Sequence, residues 1–366
     1  MCCASRTRSL SDAVRGIKAC SAAKELLLGS VGEGVAVVHH WDADGVASAA
    51  AVVRLRGESI VSVVTPELGV YGTEAIPWKS LDDAEVVAVI DYGIGLTPAA
   101  LGRSSRLLVI DHHRSGCVDA GLCCNPVSVC GLGEAEVPAT AYLMRELLAW
   151  GGRDGVVDDL AALGIVGDMG AYLDRLPDGV RGFLNRACGS LGISLKSLLR
   201  AADVVDACYR NLRYGLIRRA VTLLAEGGPA AVLGDPQLLR NYGEWERVRE
   251  GVMGLLEREA EFCGSVVKVF RLRADSLVTS YVGRRLASEL GGVIVLIHEL
   301  PSLNRTYVYV RSRESPIVGC REAVERAGLK VGGKDYVLVV TCGAGDEACV
   351  NKAVSTIVRR LCGVVG

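Results

Sequence analysis

Gly34-Val-Ala-Val-Val-His39-His40-Trp41-Asp42-Ala43-Asp44-Gly45 is the stretch on which the fold of this chain turns. Through His39 it is a short continuous apolar run, suited to a strand buried on both faces as in a parallel sheet. From Asp44 the small and branched residues Gly45-Val-Ala-Ser-Ala-Ala-Ala-Val-Val-Arg54 read as a helix. Working outward, residues 60–65, 85–91 and 107–111 repeat the strand pattern, and residues 139–150 and 156–166 repeat the helical one. Upstream, residues 8–28 place apolar positions at helical spacing until Gly29 to Gly34 break the pattern. Strands alternating with helices predict an α/β domain built on a parallel sheet with right-handed crossovers.

The chemistry lies where those strands end. The chain has only five histidines, and four of them stand in two adjacent pairs, His39-His40 and His112-His113. Each pair follows an apolar run and has an aspartate beside it: Asp42 and Asp44 after the first, Asp111 before the second. Two further apolar runs deliver Asp91 and Asp168. The carboxyl ends of strands in an open parallel sheet open into one crevice, so these groups are expected to pool there. Carboxylates gathered with imidazoles suit hard-to-borderline divalent ions such as Mn²⁺ or Mg²⁺. Without cations the carboxylates repel one another. Four carboxylates and a histidine suffice for two ions sharing a carboxylate, a pair that serves phosphoryl displacement. The competing reading of each single aspartate is a helix N-cap, and Asp44 is well placed to be one.

Beyond the first α/β pattern, residues 173–261 are mostly helix-like and rich in arginine, with 230–233 as the one strand candidate. Strand and helix signals resume at 266–272, 283–290, 293–298, 306–311, 322–327, 336–341 and 348–361, which predict a second, smaller α/β domain. The expected division is 1–172, a helical connector 173–262, and 263–366. Its 366 residues suffice for two such cores. A net charge of −1 excludes a global basic field, so any nucleic-acid contact must come from a local patch. No apolar run reaches the length of a membrane span, and the charged N-terminal stretch does not read as a signal peptide, so a cytoplasmic location is expected. The fourteen cysteines lack zinc-site spacing. They read as small buried hydrophobes, with structural disulfides in a thermophile's cytosol as the alternative.

In order, Asp42-Ala-Asp44-Gly45, Asp91, Asp111-His112-His113 and Gly167-Asp168 resemble the four motifs of the DHH phosphoesterase superfamily, and Asn125-Pro126 falls where many members carry Asn-Pro. That superfamily includes RecJ-type exonucleases, oligoribonucleases, cyclic-dinucleotide phosphodiesterases and manganese pyrophosphatases. The resemblance covers about residues 34–170. It implies that Asp42 and Asp44 contact different metals, that Asp91 bridges them, and that His112 and Asp168 complete the shells. Asp111 would orient the ligands, and His113 would contact the scissile phosphate. His40 stands two residues before Asp42, as in the archaeal RecJ-like members, and is expected as a ligand or phosphate contact. Pyrophosphatases and oligoribonucleases place a histidine four residues before the first aspartate, where this chain has Val38.

The last hundred residues resemble, more distantly, the DHH-associated domain that grips substrate in RecJ-like enzymes. Arg311 matches a substrate-contact position, and Gly332-Gly333-Lys334 stands where the family has a glycine-rich segment ending in histidine. The bland alternative makes Gly332-Gly333 a turn. Arg181, Arg186, Lys196, Arg200, Arg210, Arg213, Arg218 and Arg219 could track a single-strand backbone. Equally, they could form a solvated face paired with Asp203, Asp206 and Glu226. The leading expectation is a RecJ-like exonuclease on single-stranded DNA or RNA using two Mn²⁺ or Mg²⁺. The alternatives are a phosphodiesterase for short oligonucleotides or cyclic dinucleotides, and a non-catalytic scaffold among replication or repair proteins.

Overall fold

The computed structural model describes residues 9–29, 34–70, 72–92, 106–114, 122–334 and 336–363. The chain divides into two compact units. One comprises residues 1–209 and 213–242, the other 210–212 and 243–366, so most of the arginine-rich helical region falls within the first.

The first unit is built on five strands: β1 (Val35–His39), β2 (Ile60–Val64), β3 (Val86–Ile90), β4 (Arg106–Ile110) and β5 (Cys123–Cys124). They lie in the order β2-β1-β3-β4-β5, and every neighbouring pair is parallel. All residues of β1 and β3 are buried, as their unbroken apolar composition requires. The predicted α/β sheet is present.

Helices cover the sheet. α1 (Leu10–Gly16) and α2 (Lys18–Leu28) divide the single helical pattern of the N-terminal segment at Ile17, whose backbone is extended. α3 (Ala43–Arg56) follows β1, α4 (Pro126–Cys130) follows β5, and α5 (Thr140–Trp150) and α6 (Asp158–Met169) come next. The turn from β1 into α3 admits only glycine at position 45, because a Cβ there would lie 2.3 Å from the His40 carbonyl oxygen. Glycine also lets α6 close on α3: a Cβ at Gly167 would meet that of Ala43 at 2.8 Å. α7 (Asp178–Leu191), α8 (Leu195–Arg210) and α9 (Tyr214–Gly234) follow. The strand candidate at 230–233 is corrected: it is the last turn of α9, beyond a kink at Gly228. Four apolar residues do not distinguish strand from buried helix by pattern alone.

α10 (Pro236–Gly251) leads into the second unit, a six-stranded sheet of β6 (Glu257–Phe262), β7 (Val267–Arg273), β8 (Val293–Leu300), β9 (Arg305–Ser312), β10 (Val331–Lys334) and β11 (Val337–Gly343). Its order is β10-β11-β9-β8-β7-β6. Only β7 and β8 are parallel, joined through α11 (Thr279–Leu290). α12 (Cys320–Arg326) and α13 (Glu347–Leu361) pack on a core of Val267, Val295, Val308, Val310 and Val340. β6 stands where a helix-like pattern was expected. Its charged side chains are exposed on an edge strand, which is how such edges resist further pairing.

Disulfides join Cys20 to Cys124, Cys263 to Cys362 and Cys342 to Cys349, and Cys123 is also bonded. Among the described residues only Cys130, Cys188, Cys208 and Cys320 are outside disulfides, so the reading as buried hydrophobes holds for few of them. No helix among the described residues is long and apolar enough to cross a membrane.

Candidate metal centre

The sheet register brings the site together. His39, Ile90, Ile110 and Cys124 are aligned across β1, β3, β4 and β5. The residues that follow them, His40, Asp91, Asp111 and Asn125, therefore leave the sheet at one level. Asp91 takes a left-handed conformation, φ +56°, rare for a residue with a side chain.

Asp42 is the N-cap of α3, its Oδ1 accepting from Gly45 N at 3.0 Å and its Oδ2 lying 2.8 Å from His40 Nδ1. Asp44 lies one position inside that helix, fully buried, and serves another. Its Oδ2 accepts from Thr140 N at 2.7 Å and its Oδ1 from Ala141 N at 3.0 Å, so it caps the N-terminus of α5. The N-cap reading of Asp44 is thus right in kind but attached to a different helix. α6 supplies Asp168, one turn beyond Gly164, which lies against Asp44.

Asp111 organises the two histidines after it. Its Oδ1 accepts from His112 N (2.8 Å), His113 N (3.2 Å) and His113 Nδ1 (2.7 Å). The Asn125 amide donates to the His113 carbonyl at 2.9 Å while its oxygen caps α4. His112 Nδ1 donates to the Val137 carbonyl at 2.9 Å, which fixes the tautomer and turns the Nε2 lone pair inward. That nitrogen lies 3.0 Å from Asp168 Oδ2, 3.6 Å from Asp91 Oδ1 and 4.0 Å from Asp44 Oδ2.

Among the described residues three groups of ligand atoms result, each within 4.8 Å: His40, Asp42 and Asp91; Asp44, His112 and Asp168; and Asp91, His112 and His113. Burial pushes the Asp44 carboxyl up to about 7, aided by Asp168. Asp91 is raised well above the carboxylate range by burial and then by Asp44, Asp42, Asp168 and Asp111. Burial also acts on Asp42 and Asp111, but His40 and His113 respectively outweigh it and hold both below the usual value. His39 has a different environment. It is buried, its Nδ1 lies 2.7 Å from the His40 carbonyl oxygen and its Nε2 3.3 Å from Thr65 Oγ1, and burial pushes its pKa down to about 4.

The donor set fits divalent cations. Asp91 Oδ2 and Asp111 Oδ2 are buried and accept no hydrogen bond among the described residues. A lone pair of His112 faces three carboxylates, an arrangement that a cation stabilises and its absence does not.

The remaining expected positions lie in the second unit. Val337 pairs with Arg311 on one side and with Lys334 on the other, so Arg311 and Lys334 share one cross-strand row. Gly332 and Gly333 belong to β10 rather than a turn, and a Cβ at Gly333 would strike the Val337 carbonyl oxygen at 2.0 Å. Of the helical-region arginines, Arg181 is paired with Asp178 and Arg219 with Asp235. Asp206 accepts from Ala43 N at 2.9 Å, at the start of α3. Sequence reading missed this role of Asp206, and nothing local signals it. Thr140, also missed, carries a weak signal as a hydroxyl residue opening a helix two positions after Pro138.

Comparison with known proteins supports this architecture. No family model and no curated protein matches the sequence. Solved structures do match over nearly the whole chain. One is a DHH-domain protein described as a member of a family of ribosomal proteins (TM-score 0.66, 14% identity, 96% of this chain and 93% of that one). Another is RecJ exonuclease bound to manganese (TM-score 0.62, 19% identity, 98% and 95%). A third is RecJ of Thermus thermophilus in complex with Mn²⁺ (TM-score 0.64, 18% identity), where all of this chain is covered but only 56% of the longer protein. The fold is that of the DHH-domain proteins. The same fold is seen in the RecJ structures.

Proposed function

We propose that this protein is a two-metal phosphoesterase that hydrolyses phosphodiester bonds in single-stranded DNA or RNA from an end. The observation that carries the reading is the position of Asp91 between two ligand groups. Its Oδ1 lies 3.6 Å from His112 Nε2 and from His113 Nδ1, while its Oδ2 faces His40 Nδ1 at 3.9 Å. One ion would be held by His40, Asp42 and Asp91, the other by Asp44, His112, Asp168 and Asp91. Mn²⁺ or Mg²⁺ suits these oxygen and imidazole donors. When bound, such a pair supplies Lewis acidity, lowering the pKa of water and neutralising charge that develops on a phosphoryl group.

The chain's own residues do the rest. Asp111 holds His113 through Nδ1, which leaves the opposite ring nitrogen available to a phosphate oxygen. Asp44, anchored on α5, and Asp42, anchored on Gly45, keep the carboxylates in place before any ion arrives. Arg311, Gly332, Gly333 and Lys334 are the proposed substrate contacts of the second unit, two cationic residues and two glycines on paired strands. Replication or repair proteins are proposed as partners. The filled set of metal positions speaks against a purely non-catalytic scaffold.

The test is turnover. Purified protein with Mn²⁺ is given end-labelled single-stranded DNA, RNA and dinucleotides, beside an Asp91→Ala control. Mononucleotide release from long single strands, lost in the control, is the expected result. Equal and negligible turnover by both proteins overturns the enzymatic reading, and cleavage of dinucleotides alone replaces the polymer substrate by a small one.

A further inference from the structure

Thr140 touches both halves of the ligand set. Its backbone N–H donates to Asp44 Oδ2 at 2.7 Å, and its hydroxyl donates to Asp91 Oδ1 at 2.9 Å. The residue is fully buried, so neither bond competes with bulk water. Asp44 belongs to the group with His112 and Asp168, whereas Asp91 belongs both to the group with His40 and Asp42 and to that with His112 and His113. Among the described residues no other hydroxyl or amide donates to Asp91 Oδ1, and Asp91 Oδ2 accepts no hydrogen bond.

We propose that Thr140 is the positioning residue that makes Asp91 a bridge. Its hydroxyl fixes Oδ1 toward the His112 side, which leaves Oδ2 on the His40 side. Without that bond the carboxylate is free to rotate and serve one ion with both oxygens. The main-chain grip on Asp44 does not depend on the side chain, so the ion held by Asp44, His112 and Asp168 is retained. Thr140 therefore governs the link between two ions more than the capture of the first. This inference rests on the two-ion reading above.

Thr140→Val removes the hydroxyl and keeps the shape, and Thr140→Ser restores the hydroxyl. Each variant is checked for folding by thermal melting without metal, then titrated with Mn²⁺ by calorimetry and examined by electron paramagnetic resonance. The unsubstituted protein is expected to bind two ions and give the spectrum of an exchange-coupled pair. Thr140→Val is expected to keep the first ion, to weaken the second by about 10- to 100-fold, as lost supporting bonds at metal sites do, and to show isolated Mn²⁺. Thr140→Ser is expected to recover the coupled spectrum. A coupled spectrum with both affinities unchanged in Thr140→Val overturns this inference alone. Failure of Thr140→Ser to recover a folded valine variant's loss also overturns it. Fewer than two ions bound by the unsubstituted protein overturns the two-ion reading and this inference with it.

Discussion

Gly164 of α6 lies so close to Asp44 of α3 that a Cβ at position 164 would stand 2.4 Å from Asp44 Oδ1 and 2.9 Å from the Ala141 Cβ. The same helix carries Asp168 one turn later. Gly164→Ala is therefore expected to push α6 away from both α3 and α5. Overpacking of this kind costs about 1–3 kcal/mol. Urea unfolding should register that loss, and Mn²⁺ calorimetry should show weaker binding of the ion that needs Asp168. Unchanged stability and unchanged affinity would show that the helices yield without cost.

Neutralising Asp91 separates its two duties. The carboxyl is raised well above its ordinary range, chiefly by burial and then by Asp44, so its charge costs stability in the metal-free fold. Asp91→Asn removes that charge and is expected to stabilise the metal-free protein. The same variant should lose most of the stabilisation that Mn²⁺ gives the unsubstituted protein, about 2.7 kcal/mol at a hundredfold excess over Kd. Melting curves with Mn²⁺ and with a chelator measure both effects.

His298 should make the fold acid-sensitive. Burial pushes its pKa from 6.5 down to about 4, and its Nδ1 is 2.7 Å from Thr279 Oγ1. Between those values the unfolded chain binds a proton that the folded chain refuses, so stability is complete above 6.5 and falls as pH drops toward 4. The full effect is about 3 kcal/mol for this group, and His39 adds to the same window. Denaturant unfolding at several pH values should show the slope, and His298→Gln should flatten part of it.

The Cys20–Cys124 disulfide closes a loop across 104 residues and ties α2 to β5. Cys20→Ser is expected to destabilise the first unit by about 2–5 kcal/mol. Because Asn125 follows Cys124 and supports the His113 carbonyl, the variant should also weaken Mn²⁺ binding modestly. Peptide mapping without reductant checks the pairing itself.

Much of this was legible in the sequence because it rested on local pattern. Unbroken apolar runs mark β1, β3 and β4, and the residues after them must emerge together once the sheet is parallel. Other features depended on contacts between distant segments. Nothing near Asp206 reveals that it receives the first N–H of α3, and Asp44 looks like the cap of its own helix until α5 is in place. β6 was hidden for another reason. Its charges suit an exposed edge, and the same composition reads as a solvated helix.

Asp44 gives the site a constraint on how it can change over time. α5 has no cap of its own before Thr140 and borrows one from α3. A lineage drifting away from catalysis could discard Asp91 or Asp168 without uncapping a helix, whereas losing Asp42 would uncap α3 and losing Asp44 would leave buried N–H groups at the head of a core helix. Inactive descendants of this chain should therefore keep Asp44, or a hydrogen-bond acceptor in its place, after Asp91 and Asp168 have gone.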